Sequence, residues 1–338
     1  AMLCRILRSR FAAFVSYALT MVVAPPAIAQ TSEGDFRGKT ISVIIGAGEG
    51  GFYDLNGRFM ARFMRKYIPG SPVMVPQNMP GASQLRATEH AYNLAARDGT
   101  ALLVVQPYVI LNKLQNDGLK FDIQRFKYIG RVGPIEMGGM VGEASSIRNI
   151  DDARKREVIF GANAANGPAA MLPWAINRLA GTRFKVVLGY QSQTAEELAI
   201  ERGEIEGFGN GSFGEMRQQS KLRVLYVSGL KRLPLAPEAP TILELVKPED
   251  RVIMDLLASI SEVGLSVIAP PDVGSERVGV LRRAFDQMMQ DTEYRAALAS
   301  IGFPADPMSG GELERFVRER FSPSPQIVDR LRSATSAP

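Results

Sequence analysis

Apolar positions recur along this chain with two alternating periods. Short β-branched runs, "TISVII" from Thr40, "PVMV" from Pro72 and "TALLVV" from Thr100, are separated by "DLNGRFMARFMRKY" and "ASQLRATEHAYNLA", whose apolar residues fall three or four apart. That alternation predicts strand–helix–strand units and a parallel sheet covered by helices. In the first helix Leu55, Phe59, Phe63 and Tyr67 share one face, while Arg58, Arg62, Arg65 and Lys66 share another. The basic stripe reads as a solvated face. A second block begins near Val158 with "VIFGA", a helix around "PAAMLPWAINRLA", then "FKVVLGY", a helix around "TAEELAIE", and "EIEGFG". Two similar half-size units predict two lobes. The glycines and extended residues of "FKYIGRVGPIEMGGMVGE" suit strands crossing between them, and a second crossing is expected near "SISEVGLSVIAPP". Three helical segments follow. The first repeats Val278, Leu281, Phe285 and Met288; the second starts at Asp291 as N-cap and stops at Gly302; the third starts with the capping-box pair Ser309 and Glu312. The tail "SATSAP" is expected to be disordered.

The first residues set the compartment. "CRILRSR" is basic, "FAAFVSYALTMVV" is apolar, and Ala27 to Ala29 offer small residues for cleavage, the pattern of a secretory signal peptide over 1–29. Ser16, Thr20, Pro25 and Pro26 interrupt the run before it reaches the length of a membrane span. The single cysteine, Cys4, precedes the apolar segment, so it is not placed for acylation, and Arg8 and Arg10 are split by Ser9, so there is no twin-arginine pair. Removal of the signal leaves a chain without cysteine, which excludes disulfides and thiolate chemistry. The formal charge of +5 loses three with Arg5, Arg8 and Arg10. Nothing in the balance asks for a nucleic acid.

One loop resembles a cofactor fingerprint. Gly46, Gly48 and Gly51 keep the spacing G-x-G-x-x-G between a strand and a helix. A nicotinamide site also needs an acid at the end of the next strand to hold the ribose hydroxyls. Here that strand ends in Pro76, Gln77 and Asn78. An NAD(P)-dependent oxidoreductase is therefore the lesser alternative. The physics of the loop survives: glycines ahead of a helix let backbone N–H groups approach an anion. A hydrolase lacks its Gly-x-Ser-x-Gly elbow. The only histidine, His90, has no visible metal or catalytic partners and reads as a surface residue; the only tryptophan, Trp174, reads as core.

"IIGAGEGGFYDLNGRFMARFM" followed by "PVMVPQNMPGASQLRATEHAYNLAARDGTALLV" resembles the substrate-binding proteins of tripartite tricarboxylate transporters, the Bug-type periplasmic receptors. Their first loop reads Pro-Phe-x-x-Gly-Gly-x-x-Asp, matched by Gly50, Gly51 and Asp54. Asn78, Pro80, Gly81 and Ala82 match a second motif, and Asp98, Gly99, Thr100 and Leu102 a third. In the second half "NAANGP" keeps Asn166 and Gly167 of a Ser-Ala-Gly-Asn-Gly-Ser segment, and "GYQS" keeps Tyr190 of Pro-Tyr-Lys-Gly. "LAPEAPTILEL", "VIAPPDV" and "DTEYRAALASIGF" resemble the family's closing segments, so the likeness spans nearly the whole chain after the signal.

The resemblance implies a two-lobed α/β periplasmic binding protein, a Venus-flytrap with a mainly parallel sheet in each lobe and crossing hinge strands. Lobe 1 would comprise 30–132 and 262–338, and lobe 2 would comprise 133–261. It implies a monomer without cofactor, metal or catalysis, which captures a small carboxylate and delivers it to membrane permease subunits. Gly50, Gly51, Phe52, Tyr53, Asp54, Gly81 and Ala82 would face Asn163, Asn166, Gly167 and Tyr190 across the cleft. A receptor-like sensing protein without a transport role is the other alternative.

Departures from the family bear on the ligand. Gly46 and Ala47 replace Pro-Phe, Phe52 and Tyr53 return aromatic surface, Gln191 replaces a lysine, and Met171 replaces a histidine. The two facing loops carry Glu49 and Asp54 but no Lys or Arg, which disfavours a trianion and favours a monocarboxylate, amino-acid-like or aromatic. Each residue also has a plainer role open to it: Asp54 as a cap for free N–H groups, Glu49 facing water, Asn166 holding its own turn, and Tyr190 in packing.

Overall fold

The computed structural model describes residues 35–215, 221–303 and 305–338. The predicted signal peptide lies outside them.

The chain enters through β1 (Thr40–Ile45), α1 (Phe52–Met64), β2 (Val73–Asn78), α2 (Leu85–Asn93), β3 (Ala101–Val105) and α3 (Tyr108–Gln115). β2 and β3 both pair with β1 in parallel, in the order β2-β1-β3, so the ends of all three point the same way. β3 is buried throughout, as its unbroken apolar run demands. α1 meets the sheet through Gly57, Met60, Ala61 and Met64, with Leu55 and Phe59 only half-buried. Gly57 sets this face, because a Cβ there would strike the Ile45 side chain. The basic stripe is not merely solvated: Arg58 holds Asp54 at 2.9 Å, and Lys66 lies 3.3 Å from Asp291 and 3.2 Å from Glu293.

β4 (Lys127–Gly133) belongs to the first sheet and β5 (Met137–Gly142) to the second, with only Pro134 to Glu136 between them. This is the predicted first crossing. The second lobe then runs α4 (Ile150–Lys155), β6 (Val158–Ala162), α5 (Pro168–Ala180), β7 (Phe184–Leu188), α6 (Gln193–Glu201), β8 (Gly207–Ser212) and β9 (Leu222–Val227). Local chemistry sets the helix starts: Asn149 caps α4, Pro168 occupies the first turn of α5, and the Ser192 side chain accepts from Ala195 N at the start of α6.

The return crossing is made by a helix, α7 (Arg251–Val263), which delivers the chain to β10 (Leu265–Ala269). In "SISEV" Ile260 and Val263 stand three apart, and burial between α3, α10 and α11 holds the segment as helix. The remaining elements are α8 (Ser275–Met288), α9 (Thr292–Ser300), β11 (Met308–Ser309), α10 (Gly310–Arg320) and α11 (Pro325–Thr335). The Asp291 cap and the Ser309–Glu312 capping box form as expected.

The tail corrects the sequence reading. Residues expected to be disordered continue α11, and Arg178 of α5 binds the Ala334, Ser336 and Ala337 carbonyl oxygens at 2.5–3.2 Å. The expectation of mainly parallel sheets also needs correction. The first sheet, β11-β4-β10-β3-β1-β2, and the second, β7-β6-β8-β5-β9, are mixed, because crossing strands return antiparallel to the strand–helix–strand halves.

Two large apolar cores hold these layers. One fills the α1/α8 side of the first sheet; the other runs unbroken from its opposite face through α3, α7 and α11 to Phe160, Trp174 and Tyr226 of the second lobe. Burying each such side chain contributes about 1.5–3 kcal/mol, so the shared core is a strong tie between the lobes. The Arg131 side chain, 5% exposed, ties β4 to the end of α7 and to the loop before β11 by donating to Glu262 Oε2 at 2.9 Å and Asp306 Oδ2 at 3.4 Å.

Candidate functional site

In α/β sheets ligands gather at the carboxyl ends of parallel strands. Here those ends carry the loops 46–51, 79–84 and 106–107 in the first lobe, and 163–167, 189–192 and 213–215 in the second. The two edges meet. Tyr108, at the start of α3, accepts a hydrogen bond from Asn210 Nδ2 of β8 at 2.6 Å and donates to Met137 Sδ at 3.1 Å. Ser228 donates to Asn210 Oδ1 at 2.6 Å, extending the chain of bonds into β9's end. Burial drives the Tyr108 hydroxyl well above its usual pKa, so it stays protonated as the donor to sulfur.

The glycine loop is held from beneath by Asp54. Its buried carboxylate accepts from Gly50 N at 2.8 Å, Arg58 Nε at 2.9 Å and Asn78 Nδ2 at 2.8 Å. Burial alone would raise its pKa, but the bonds from Arg58, Gly50 and Asn78 outweigh that and hold it below the usual carboxylate range. Asn78 also donates to Ala47 O at 3.0 Å and accepts from Arg58 at 3.0 Å. Asp54 therefore serves the turn, and the Gly50 N–H points at Asp54. The charge count made from the loops alone also changes, because Arg58, one helical turn on, neutralises Asp54 and leaves Glu49 exposed.

Gly46 has a reason of its own. A Cβ there would overlap the buried Gln84 side chain, which donates to Val104 O at 2.5 Å and accepts from Gln106 N. Gln84 ends a turn in which Gly81, Ala82, Ser83 and Gln84 all have positive φ, between 48° and 137°. Three successive non-glycine residues in that region cost about 1–2 kcal/mol each, and the two Gln84 bonds help hold the turn. The loops after β1, β2 and β3 are thus one bonded unit.

The predicted residues fall into two groups. Gly50, Gly51, Phe52, Tyr53 and Asp54 form the loop and first turn of α1; Gly81 and Ala82 are exposed beside them, with Ala82 on a hollow shared with Arg86, His90 and Lys120. On the second lobe Asn163 Oδ1 accepts from Ala164 N at 2.8 Å, Gly167 caps α5, and Asn166 is exposed on a hollow with Gln115, Trp174 and Arg332. The Tyr190 ring is half-buried over Gly161, where a Cβ would sit 3.0 Å from Tyr190 Cδ2. Beneath it lies Glu196, 6% exposed; burial and then the charge of Glu197 raise its pKa to about 8.

Asn166 thus lies on a hollow shared with first-lobe residues, and Phe52 reaches a cavity shared with the second lobe. That cavity, about 150 Å3, is lined by Phe52, Ile301, Phe303 and Asp306 from the first lobe, by Pro134 to Glu136, and by Ser212 and Gly214 from the second. The Phe52 and Phe303 rings meet edge to face at 5.0 Å. Sequence reading did not single out Tyr108, Asn210, Glu136 or Phe303. The strand-end rule could have found Tyr108 after β3, but the others depend on which loop the second lobe brings across. Among the described residues no cluster of His, Cys, Asp and Glu is arranged to hold a metal ion.

Two mixed α/β sheets, joined by crossing elements, with strand ends meeting at a cleft, define the two-lobed solute-binding fold. The solved structures it resembles include a TctC solute-binding protein from Polaromonas, with TM-score 0.64 and 18% identity over 86% of this chain and 98% of that one. Another, from Rhodopseudomonas palustris and solved with adipate, has TM-score 0.65 and 18% identity over 90% of this chain and all of that one. The chain is 24% identical over 323 residues to the UPF0065 protein in the gbd 5′ region of Cupriavidus necator, covering 92% of each. No family model matches the chain. The resemblance read from the sequence holds: the fold is that of the TctC and Bug-type solute-binding proteins.

Proposed function

We propose that the protein is a periplasmic receptor that captures a small carboxylate between its lobes by hinge closure and delivers it to tripartite tricarboxylate-type permease subunits. The observation that carries this reading is the meeting of both sets of parallel-strand ends at one cleft, crossed by Tyr108 and Asn210. A glycine-lined turn ahead of α1 offers the carboxylate the positive end of a helix. The fold neighbour holding adipate supports a carboxylate as ligand. Gly51, Phe52, Tyr53, Gly81 and Ala82 from one lobe, with Asn166, Gly167 and Tyr190 from the other, are the proposed contacts. Asp54, Gly50 and Asn163 act by shaping the turns. The protein works as a monomer exported by its signal peptide, without cofactor or catalysis, and its ligand is a monocarboxylate of amino-acid-like or aromatic character.

A thermal-shift screen of the mature protein against small carboxylates, amino acids and NAD tests this. Ligands that bind only the folded state raise the melting temperature by mass action. Stabilisation by carboxylates, with a change in Trp174 fluorescence, is expected; stabilisation by NAD alone would overturn the reading.

A further inference from the structure

Three hydrogen bonds join the second lobe to the end of α11. The Arg178 guanidinium, in the last turn of α5, donates to the carbonyl oxygens of Ala334 at 3.0 Å, Ser336 at 2.5 Å and Ala337 at 3.2 Å. Carbonyls at and beyond a helix end lack intrahelical partners and form its negative pole, which suits a cation. The same turn of α11 is anchored to the first lobe. Gln115, the last residue of α3, donates its Nε2 to Thr335 Oγ1 at 2.7 Å, and Thr335 is buried. Arg332 donates to Asp117 Oδ2 at 2.7 Å, a more exposed and weaker tie.

These two sets of anchors belong to different sheets. α3 follows β3 of the first sheet and α5 follows β6 of the second, so a movement that takes α5 away from α3 must break one set. The chain itself crosses between the lobes elsewhere, at Pro134 to Glu136 and through α7. Met171, Trp174 and Arg178 fall three and four apart on the face of α5 turned to this junction, yet side chains do not fill it. A hollow of about 400 Å3 remains, lined by Gln115, Asn166, Met171, Trp174 and Arg332. The junction is held at its polar ends, and Asn166 brings the 163–167 loop to its edge.

We propose that the end of α11 is a strap across the two lobes, with Arg178 as its clasp, that limits how far they part. It builds on the hinge motion of the receptor reading, and its failure leaves the ligand screen untouched.

Double electron–electron resonance tests it, with spin labels on Leu94→Cys and Lys185→Cys, exposed positions on the first and second lobes. The mature protein serves, since Cys4 leaves with the signal peptide. Arg178→Ala is expected to raise the population at longer distances about tenfold over the wild type, the effect of losing one hydrogen bond to a charged group. Gln115→Ala frees the other end and should raise it about fivefold. The double variant should open no further than Arg178→Ala, since a strap loose at one end no longer restrains. An unchanged distribution in Arg178→Ala overturns the strap. A shift in Arg178→Ala that Gln115→Ala does not share also overturns it, because Arg178 would then only cap the α11 carbonyls. Arg178→Lys, with a single donor head, carries the same test should Arg178→Ala not fold.

Discussion

The Tyr108 hydroxyl of one lobe lies 2.6 Å from Asn210 Nδ2 of the other and 3.1 Å from Met137 Sδ at the start of β5. This contact ties the edge of the first sheet to the edge of the second. Tyr108→Phe keeps the ring and removes the bonds. It should lower stability by about 1 kcal/mol, a fall of about 2–4 °C in melting temperature, and weaken carboxylate binding severalfold. An unchanged melting temperature and Kd would show that the contact does nothing in solution.

Asp54→Asn tests the loop support. The amide cannot accept as a carboxylate does from Arg58 and Gly50, and it leaves the Arg58 charge without its partner. A loss of about 1–3 kcal/mol is expected in urea unfolding, with carboxylate affinity falling because the turn loosens. If affinity drops with no loss of stability, Asp54 instead contacts the ligand directly.

Gly46 and Gln84 should be energetically coupled. Gly46→Ala forces a methyl against a buried, doubly bonded side chain and should cost about 1–3 kcal/mol. Gln84→Ala loses two buried bonds. The double variant relieves the overlap, so its cost should fall below the sum of the singles by at least about 0.5 kcal/mol. Strict additivity would contradict the packing described.

These residues also show how far the sequence reached. The alternating periods were enough for the strand–helix order, both lobes and the first crossing, because burial periodicity is local. The helical second crossing and the ordered tail were not legible, since both depend on partners far along the chain: α3 and α10 for "SISEV", and Arg178 for the last carbonyls. The glycine loop precedes α1 as the pattern predicts, yet its members divide unexpectedly. Gly46 makes room for Gln84, Gly50 gives its N–H to Asp54, and only the Gly51 end stays open to the cleft. The hinge cavity could not be read in advance, because its wall is assembled from residues near 52, 136, 214 and 303.

Stability should carry the signature of Glu196. Its folded pKa, about 8, lies above the ordinary glutamate value of 4.5. A raised carboxylate pKa means the folded state holds the proton more tightly, so the contribution is complete below pH 4.5 and is lost as pH rises through 8. Glu196→Gln should therefore melt higher than the wild type at pH 8–9, by at least about 2–4 °C, with the gap closing near pH 5. A gap that does not depend on pH would refute the assignment.

Small-angle X-ray scattering of the mature protein, alone and saturated with the carboxylate that stabilises it most, tests hinge capture most directly. The account predicts a smaller radius of gyration in the saturated sample. Full occupancy with an unchanged radius would contradict closure of the lobes over the ligand.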